Sequence, residues 1–152
     1  MENRFEKFTT LITNISRSIQ KIKSFEMQEL GLKGKQVSCL YHLLNSKGGL
    51  SSSQLCMLCG EDKAAISRTI KDLESLGFVF LDESGLKKYR NPIKLTVKGE
   101  EVGKKIEKKI EENFSQGSSG IADDEREKFY VTLTLICENL QKICENKGEK
   151  ND

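Results

Sequence analysis

The sequence predicts a mainly α chain of the α+β class, in the order helix, helix, helix, helix, strand, strand, helix, helix. Three observations predict it. Apolar residues recur in steps of three and four through most of the chain, the period of one helix face. That period gives way to alternation only near residues 78–97. A single proline, Pro92, leaves room for long unbroken helices elsewhere.

Composition sets the outer limits. A chain of 152 residues suits one structural domain and can bury a real core. With 36% hydrophobic and 32% charged residues it matches a folded helical protein with much solvated surface, not a disordered one. The net charge of +2 neither demands nor excludes a polyanionic partner, so the placement of charge matters more than its sum. No stretch approaches the roughly 20 apolar residues of a membrane span. The opening MENRFEKFTTLITNISR lacks the basic-then-apolar order of a secretion signal. A cytoplasmic chain is expected, in which the five cysteines are reduced thiols.

The first helix follows from the stripe Phe5, Phe8, Ile12, Ile15, Ile19, Ile22, and Gly31 and Gly34 break it. A second fits KQVSCLYHLLNS, with Val37, Leu40, Leu43 and Leu44 facing inward and Lys47-Gly48-Gly49 ending it. Ser51 is a good N-cap for the short helix SSQLCMLC, which Gly60 closes. Asp62 caps the next, AAISRTIKDLESL, with Ile66, Ile70, Leu73 and Leu76 on one face and Gly77 after it. FVFLDE and the alternating Ile93, Leu95, Val97 predict two strands joined by a long turn, SGLKKYRN. A charged helix from Lys98 carries Val102, Ile106 and Ile110, and QGSSG interrupts it. The last helix starts at Asp123-Asp124-Glu125, acids that suit the positive end of its dipole. Its stripe is Phe129, Leu133, Ile136, Leu140, Ile143, and residues 147–152 are expected to be a disordered tail.

Two helices joined by a short turn and followed by a hairpin form the plan of a winged helix-turn-helix, here residues 34–97. The helix after Asp62 is the one that fits a DNA major groove, which is about 12 Å wide. Ser51 and Ser52 at the start of the short helix, and Lys63, Ala64, Ala65, Ser67, Arg68 and Lys71 on the next, are the candidate DNA-binding residues. Small side chains at 64, 65 and 67 allow close approach to bases. Arg68 can fork onto guanine or phosphate, and Lys71 can neutralise a phosphate. Lys87, Lys88 and Arg90 at the hairpin tip add a basic wing that can enter a minor groove or follow the backbone. A charged outer face is also ordinary for any amphipathic helix. The basic wing following at the proper distance makes the combination more specific.

LSSSQLCMLCGEDKAAISRTIKDLESLGFV resembles the core of the MarR family of bacterial transcriptional regulators. Leu50, Ser51, Leu55, Cys56, Asp62, Ile66-Ser67-Arg68, Leu73, Gly77 and Val79 match the family pattern in register, and Ile93-Lys94-Leu95-Thr96 followed by Lys98-Gly99 matches its wing end. The outer helices match in number and place. The sequence departs at the family's Asp-x-Arg of the wing, whose places fall on Lys87 and Tyr89 with Arg90 one step on, so that ion pair is missing. Glu61 stands where an apolar residue is common.

Cys56 and Cys59 form a C-x-x-C. A zinc site needs about four ligands, and the sequence offers no second such pair and one histidine, His42. The family register gives both cysteines small apolar positions, so core packing is expected, and no metal or other cofactor. Cys39, Cys137 and Cys144 are the candidates for redox chemistry, with packing again the simpler reading. The family's peroxide-sensing branch carries its reactive cysteine in the first helix, where this chain has none. His42 is expected to be a partly exposed helix residue. Tyr41 and Tyr89 fit either a pocket or a cover over apolar surface.

The first and last helices carry stripes too large for a small winged-helix core to cover, so residues 1–30 and 98–146 are expected to form a dimerisation region. The resemblance implies a homodimer that reads a palindromic operator, most simply as a repressor, and a small-molecule effector that binds between dimer helices and winged region. Its partners would be double-stranded DNA, a second copy and that unidentified effector, with no membrane. Two other classes fit the same residues: a thiol-based redox regulator and a winged-helix protein-interaction module. The chain is not expected to be an enzyme, having one histidine and no phosphate-binding glycine loop.

Overall fold

The computed structural model describes residues 3–85 and 91–148. Its elements are α1 (Arg4–Met27), a 3-10 turn (Gln28–Leu30), α2 (Gly34–Leu44), α3 (Ser52–Cys59), α4 (Lys63–Ser75), β1 (Val79–Leu81), β2 (Ile93–Leu95), α5 (Val97–Gly117) and α6 (Asp123–Gly148). The mainly α winged helix expected from the sequence is the observed fold. α6 runs on to Gly148, two residues into the stretch expected to fray; the rest of that tail lies outside the described residues. The chain divides into two compact units, Met1–Phe114 and Ser115–Asp152.

In the first unit the core gathers where α2, α3, α4, the hairpin and α5 meet. Val37, Cys39 and Leu40 of α2, Leu55 of α3, Ile66 and Leu73 of α4, Val79 and Ile93 of the strands and Ile106 of α5 are all buried. Each large aliphatic side chain among them stabilises by about 1.5–3 kcal/mol over leaving it in water. The stripes read from the sequence on α2, α4 and α5 face this core, with two shifts. Leu44 is half-buried and lies under Gly103 of α5. Leu76 is the C-cap of α4 and is 43% exposed, because the helix ends before bringing it inward. Tyr41 is partly buried and packs against the core.

The hairpin is antiparallel, pairing Val79 with Leu95, Phe80 with Lys94 and Leu81 with Ile93. Leu50 joins it from the segment before α3: its N–H donates to the Ile93 carbonyl at 3.0 Å and its carbonyl accepts from the Ile93 N–H at 2.8 Å. The start of α3 is thereby tied to the base of the wing. The end of the wing is tied to α5 through Thr96, whose hydroxyl accepts from the Gly99 N–H at 3.0 Å and donates to the Gly77 carbonyl at 2.6 Å. Gly99 is required there, since a Cβ would overlap the Phe78 carbonyl oxygen. This is the physical content of the Leu-Thr-x-x-Gly pattern.

α1 begins under an Asn3 cap, its side chain accepting from the Phe5 N–H at 3.1 Å. The far end of α1 meets α5 at Glu26, whose carboxylate pairs with Lys109 at 3.1 Å. The stripe of α1 is open: Phe5 is 73% exposed and Ile15 51%. In the second unit, α6 has no buried residue, and Phe129, Leu140 and Ile143 are half-exposed.

Candidate nucleic-acid interface

The turn between α3 and α4 is built from local chemistry. Ser51 forms a capping box: its hydroxyl accepts from the Gln54 N–H at 3.2 Å, and the Gln54 side chain accepts from the Ser51 N–H at 2.8 Å. That use leaves the Ser51 hydroxyl proton to donate elsewhere. Gly60 closes α3 in the left-handed region at φ 63°, where glycine carries no Cβ penalty. Asp62 then caps α4, accepting from the Ala65 N–H at 2.7 Å. Both caps stand where the sequence predicts them, so α4 is held at a fixed angle to α3.

On α4, Lys63, Ala64, Ser67, Arg68 and Lys71 are exposed. Their spacing of three and four puts them on one continuous outer stripe. Lys63, Arg68 and Lys71 make it basic, and the first turn holds no acid. The positive end of the helix dipole lies at the same end as Lys63. A helix with side chains measures about 10–12 Å across, the width of a major groove. Ser52 is exposed at the start of α3, and Ser51 is half-buried by its cap. Ala65 departs from the expectation of an outer face: it is 5% exposed and belongs to the core, with its N–H given to Asp62. Lys87, Lys88 and Arg90 lie outside the described residues, as does Tyr89.

Among the described residues, the wing is joined by another ion pair at its base. Asp82, just past β1, pairs with Lys94 of β2 at 2.7 Å. Lys94 beside it, and the Ser84 hydroxyl and N–H, hold the Asp82 carboxyl well below the usual carboxylate range. Sequence reading missed this pair because Lys94 reads only as the outward member of an alternating strand.

A cleft of about 800 Å³ opens beside α4, lined among others by Gln20 of α1, Lys33 and Lys35 at the start of α2, Cys59 and Arg68. Lys35 pairs across it with Glu61 at 2.8 Å, which gives Glu61 a polar role where the family has an apolar residue.

The cysteines are placed differently from their sequence neighbourhoods. Cys56 and Cys59 pack against the core but are only half-buried. Cys39 is buried, and its sulfur lies 3.8 Å from that of Cys59, a proximity the sequence does not announce. Half-buried His42 is pushed below its ordinary pKa, first by burial and then by Lys23. Cys137 and Cys144 are exposed on α6. Among the described residues no group of three or more His, Cys, Asp or Glu side chains could hold a metal ion. No helix among them is long and apolar enough to cross a membrane.

Comparison with known proteins agrees with the fold. The MarR family model matches residues 30–87. No curated protein matches the chain. Among solved structures, the chain is similar to the transcriptional regulator PA3341, with 24% identity, a TM-score of 0.83 and coverage of 89% of this chain and 98% of that one. It is similar to a MarR family transcriptional regulator from Listeria monocytogenes complexed with a 26mer DNA, with 23% identity, a TM-score of 0.80 and coverage of 92% and 90%. It is also similar to S. aureus MepR in a DNA-binding conformation, with 17% identity, a TM-score of 0.79 and coverage of 88% and 98%. These identities speak to the fold, and the family model speaks to the winged helix-turn-helix itself. By that match the winged helix-turn-helix segment is similar to the MarR family of transcriptional regulators, and the solved structures extend the likeness of fold along nearly the whole chain.

Proposed function

We propose that the chain is a sequence-specific DNA-binding transcriptional regulator that binds a palindromic operator as a homodimer, acts as a repressor and is released by a small-molecule effector. The observation that carries the reading is the outer stripe of α4, where Lys63, Ala64, Ser67, Arg68 and Lys71 stand clear of the core on a helix fixed by two caps. Small residues let the helix approach base edges, and three cations meet phosphate or guanine. Ser51 and Ser52 meet the backbone beside it, and Lys87, Lys88 and Arg90 follow on the wing. Ala65 serves from beneath, as the core residue on which the helix sits. Two structural relatives, one complexed with DNA and one in a DNA-binding conformation, support the same reading.

The dimer is supported by the stripes on α1 and α6. Ile15 and Ile19 on α1 are 51% and 45% exposed, and Leu140 and Ile143 on α6 are 52% and 50% exposed. Apolar ridges this long on both terminal helices call for a cover, and a second copy supplies the same ridges in return. Residues 1–30 and 98–146 act as the dimerisation region, and two α4 helices then stand about one DNA turn apart, roughly 34 Å. An effector acts by binding one spacing of the two heads better than the other. α5 is the lever, since it leaves the wing at Thr96 and is tied to α1 by Lys109 and Glu26.

Selection of bound fragments from the host genome tests the reading. Recovery of one short inverted repeat bound by two chains supports it. Recovery of no enriched sequence, with no shift of any duplex, overturns it and favours a protein-interaction module.

A further inference from the structure

The sulfurs of Cys39 on α2 and Cys59 on α3 lie 3.8 Å apart. Cys39 is fully buried, whereas Cys59 is only partly buried and forms part of the cleft wall. Lys23 of α1 reaches the same junction, half-buried, with its ammonium donating to the Ser38 hydroxyl at 3.0 Å. The three groups make an asymmetric pair: one thiol that solvent reaches, one thiol held behind it, and a cation beside them.

We propose that Cys39 and Cys59 are an oxidisable dithiol, a site for small hydroperoxides that closes as a disulfide within one chain. The Cys59 thiolate attacks one peroxide oxygen. An S–O bond forms and the O–O bond breaks. The departing oxygen takes up a proton and leaves as water. Cys39 then gives up its proton, and its sulfur displaces the hydroxyl of the Cys59 sulfenic acid as a second water. Two thiols lose two electrons and two protons, and hydrogen peroxide becomes two waters. The order follows from access, since peroxide entering the cleft meets Cys59 first. The electrostatics agree: the hydrogen bond from Cys39, with the Lys23 charge in support, pulls the Cys59 thiol down, while that same bond and burial push the Cys39 thiol up.

Closing the pair brings the sulfurs from 3.8 Å to about 2.05 Å. The movement falls on the last residue of α3, directly before Gly60, Glu61 and the Asp62 cap of α4. It also strains the Lys35–Glu61 pair, which joins the same two segments. Oxidation therefore re-aims α4 against α2. The effect on DNA rests on the function proposed above; the dithiol itself does not.

The test is made on the reduced full-length chain. It is treated with hydrogen peroxide, its remaining thiols are alkylated, and tryptic peptides are mapped by mass. The expected product is the Cys39 peptide (36–47) joined to the Cys59 peptide (48–63), two hydrogens lighter than the free pair. Cys56 shares the second peptide, so the mapping is repeated on Cys56→Ser, which keeps the link, and Cys59→Ser, which abolishes it. Lys23→Met slows the loss of the Cys59 thiol about tenfold near neutral pH, with circular dichroism unchanged. Cys39 and Cys59 that both remain alkylatable while Cys137 or Cys144 oxidise overturn the proposal, as does a link to Cys56 or between chains. Fragmentation of the linked peptides from the native chain, which shows whether Cys56 or Cys59 carries the alkyl group, decides the matter even if a variant fails to fold. The oxidised chain is expected to bind its selected DNA about tenfold more weakly, with recovery on reduction. A mapped link in a chain that binds no DNA in either state leaves the dithiol standing and sinks the DNA reading.

Discussion

Lys94 Nζ lies 2.7 Å from the Asp82 carboxylate and holds the two strands of the wing together at their base. The Asp82 N–H also donates to the Pro92 carbonyl at 2.9 Å, so the chain enters and leaves the tip through a fixed gate. Because the folded Asp82 pKa lies below the unfolded value of about 3.9, its contribution is complete above roughly pH 5 and is lost as pH falls below that value. The stability gap between native chain and Asp82→Asn is therefore the same at pH 6 and pH 8, and closes on acidification. Urea unfolding across pH checks this. A gap that widened with acid would contradict the pairing.

The junction of wing and α5 has almost no slack. Gly99→Ala places a methyl on the Phe78 carbonyl and is expected to cost about 2 kcal/mol, with the backbone shifting to make room. Thr96→Val removes the cap on Gly99 and the bond to Gly77, for a cost of about 1 kcal/mol. Urea midpoints at constant slope measure both. Equal stability of Gly99→Ala and native chain would mean that α5 does not sit against the Phe78 backbone this closely.

The exposed stripe on α1 makes a sharp prediction for assembly. Ile15→Glu or Ile19→Glu leaves the winged core intact, since neither side chain belongs to it. In a dimer each change buries a charge at the contact, at about 3 kcal/mol or roughly a hundredfold in dissociation constant. Light scattering should show monomers of unchanged helical content. A persistent dimer would move the contact away from α1.

Much of this architecture was legible in the sequence because it is local. The caps at Ser51 and Asp62, the closing Gly60 and the stripe of Ile66, Ile70 and Leu73 each follow from residues within a few positions of one another. The outer face of α4 was legible for the same reason, although Ala65, at the edge of that stripe, falls on the core side. What stayed hidden joins distant segments. Leu50 bridges to Ile93, Lys35 pairs with Glu61 and Cys39 meets Cys59 across a separation that no periodicity encodes. The C-x-x-C drew attention to the wrong partner, since Cys59 turns toward Cys39 on α2, away from the spacing that made it conspicuous.

The central claim is that α4 reads DNA sequence, and Arg68 tests it most directly. Fluorescence anisotropy at fixed salt, with the selected inverted repeat and a scrambled duplex, compares the native chain with Arg68→Ala. The account predicts that Arg68→Ala remains a dimer, loses about 1–3 kcal/mol of preference for the repeat, and keeps most of its affinity for the scrambled duplex. An Arg68→Ala chain that discriminates the two duplexes as well as the native chain would contradict it.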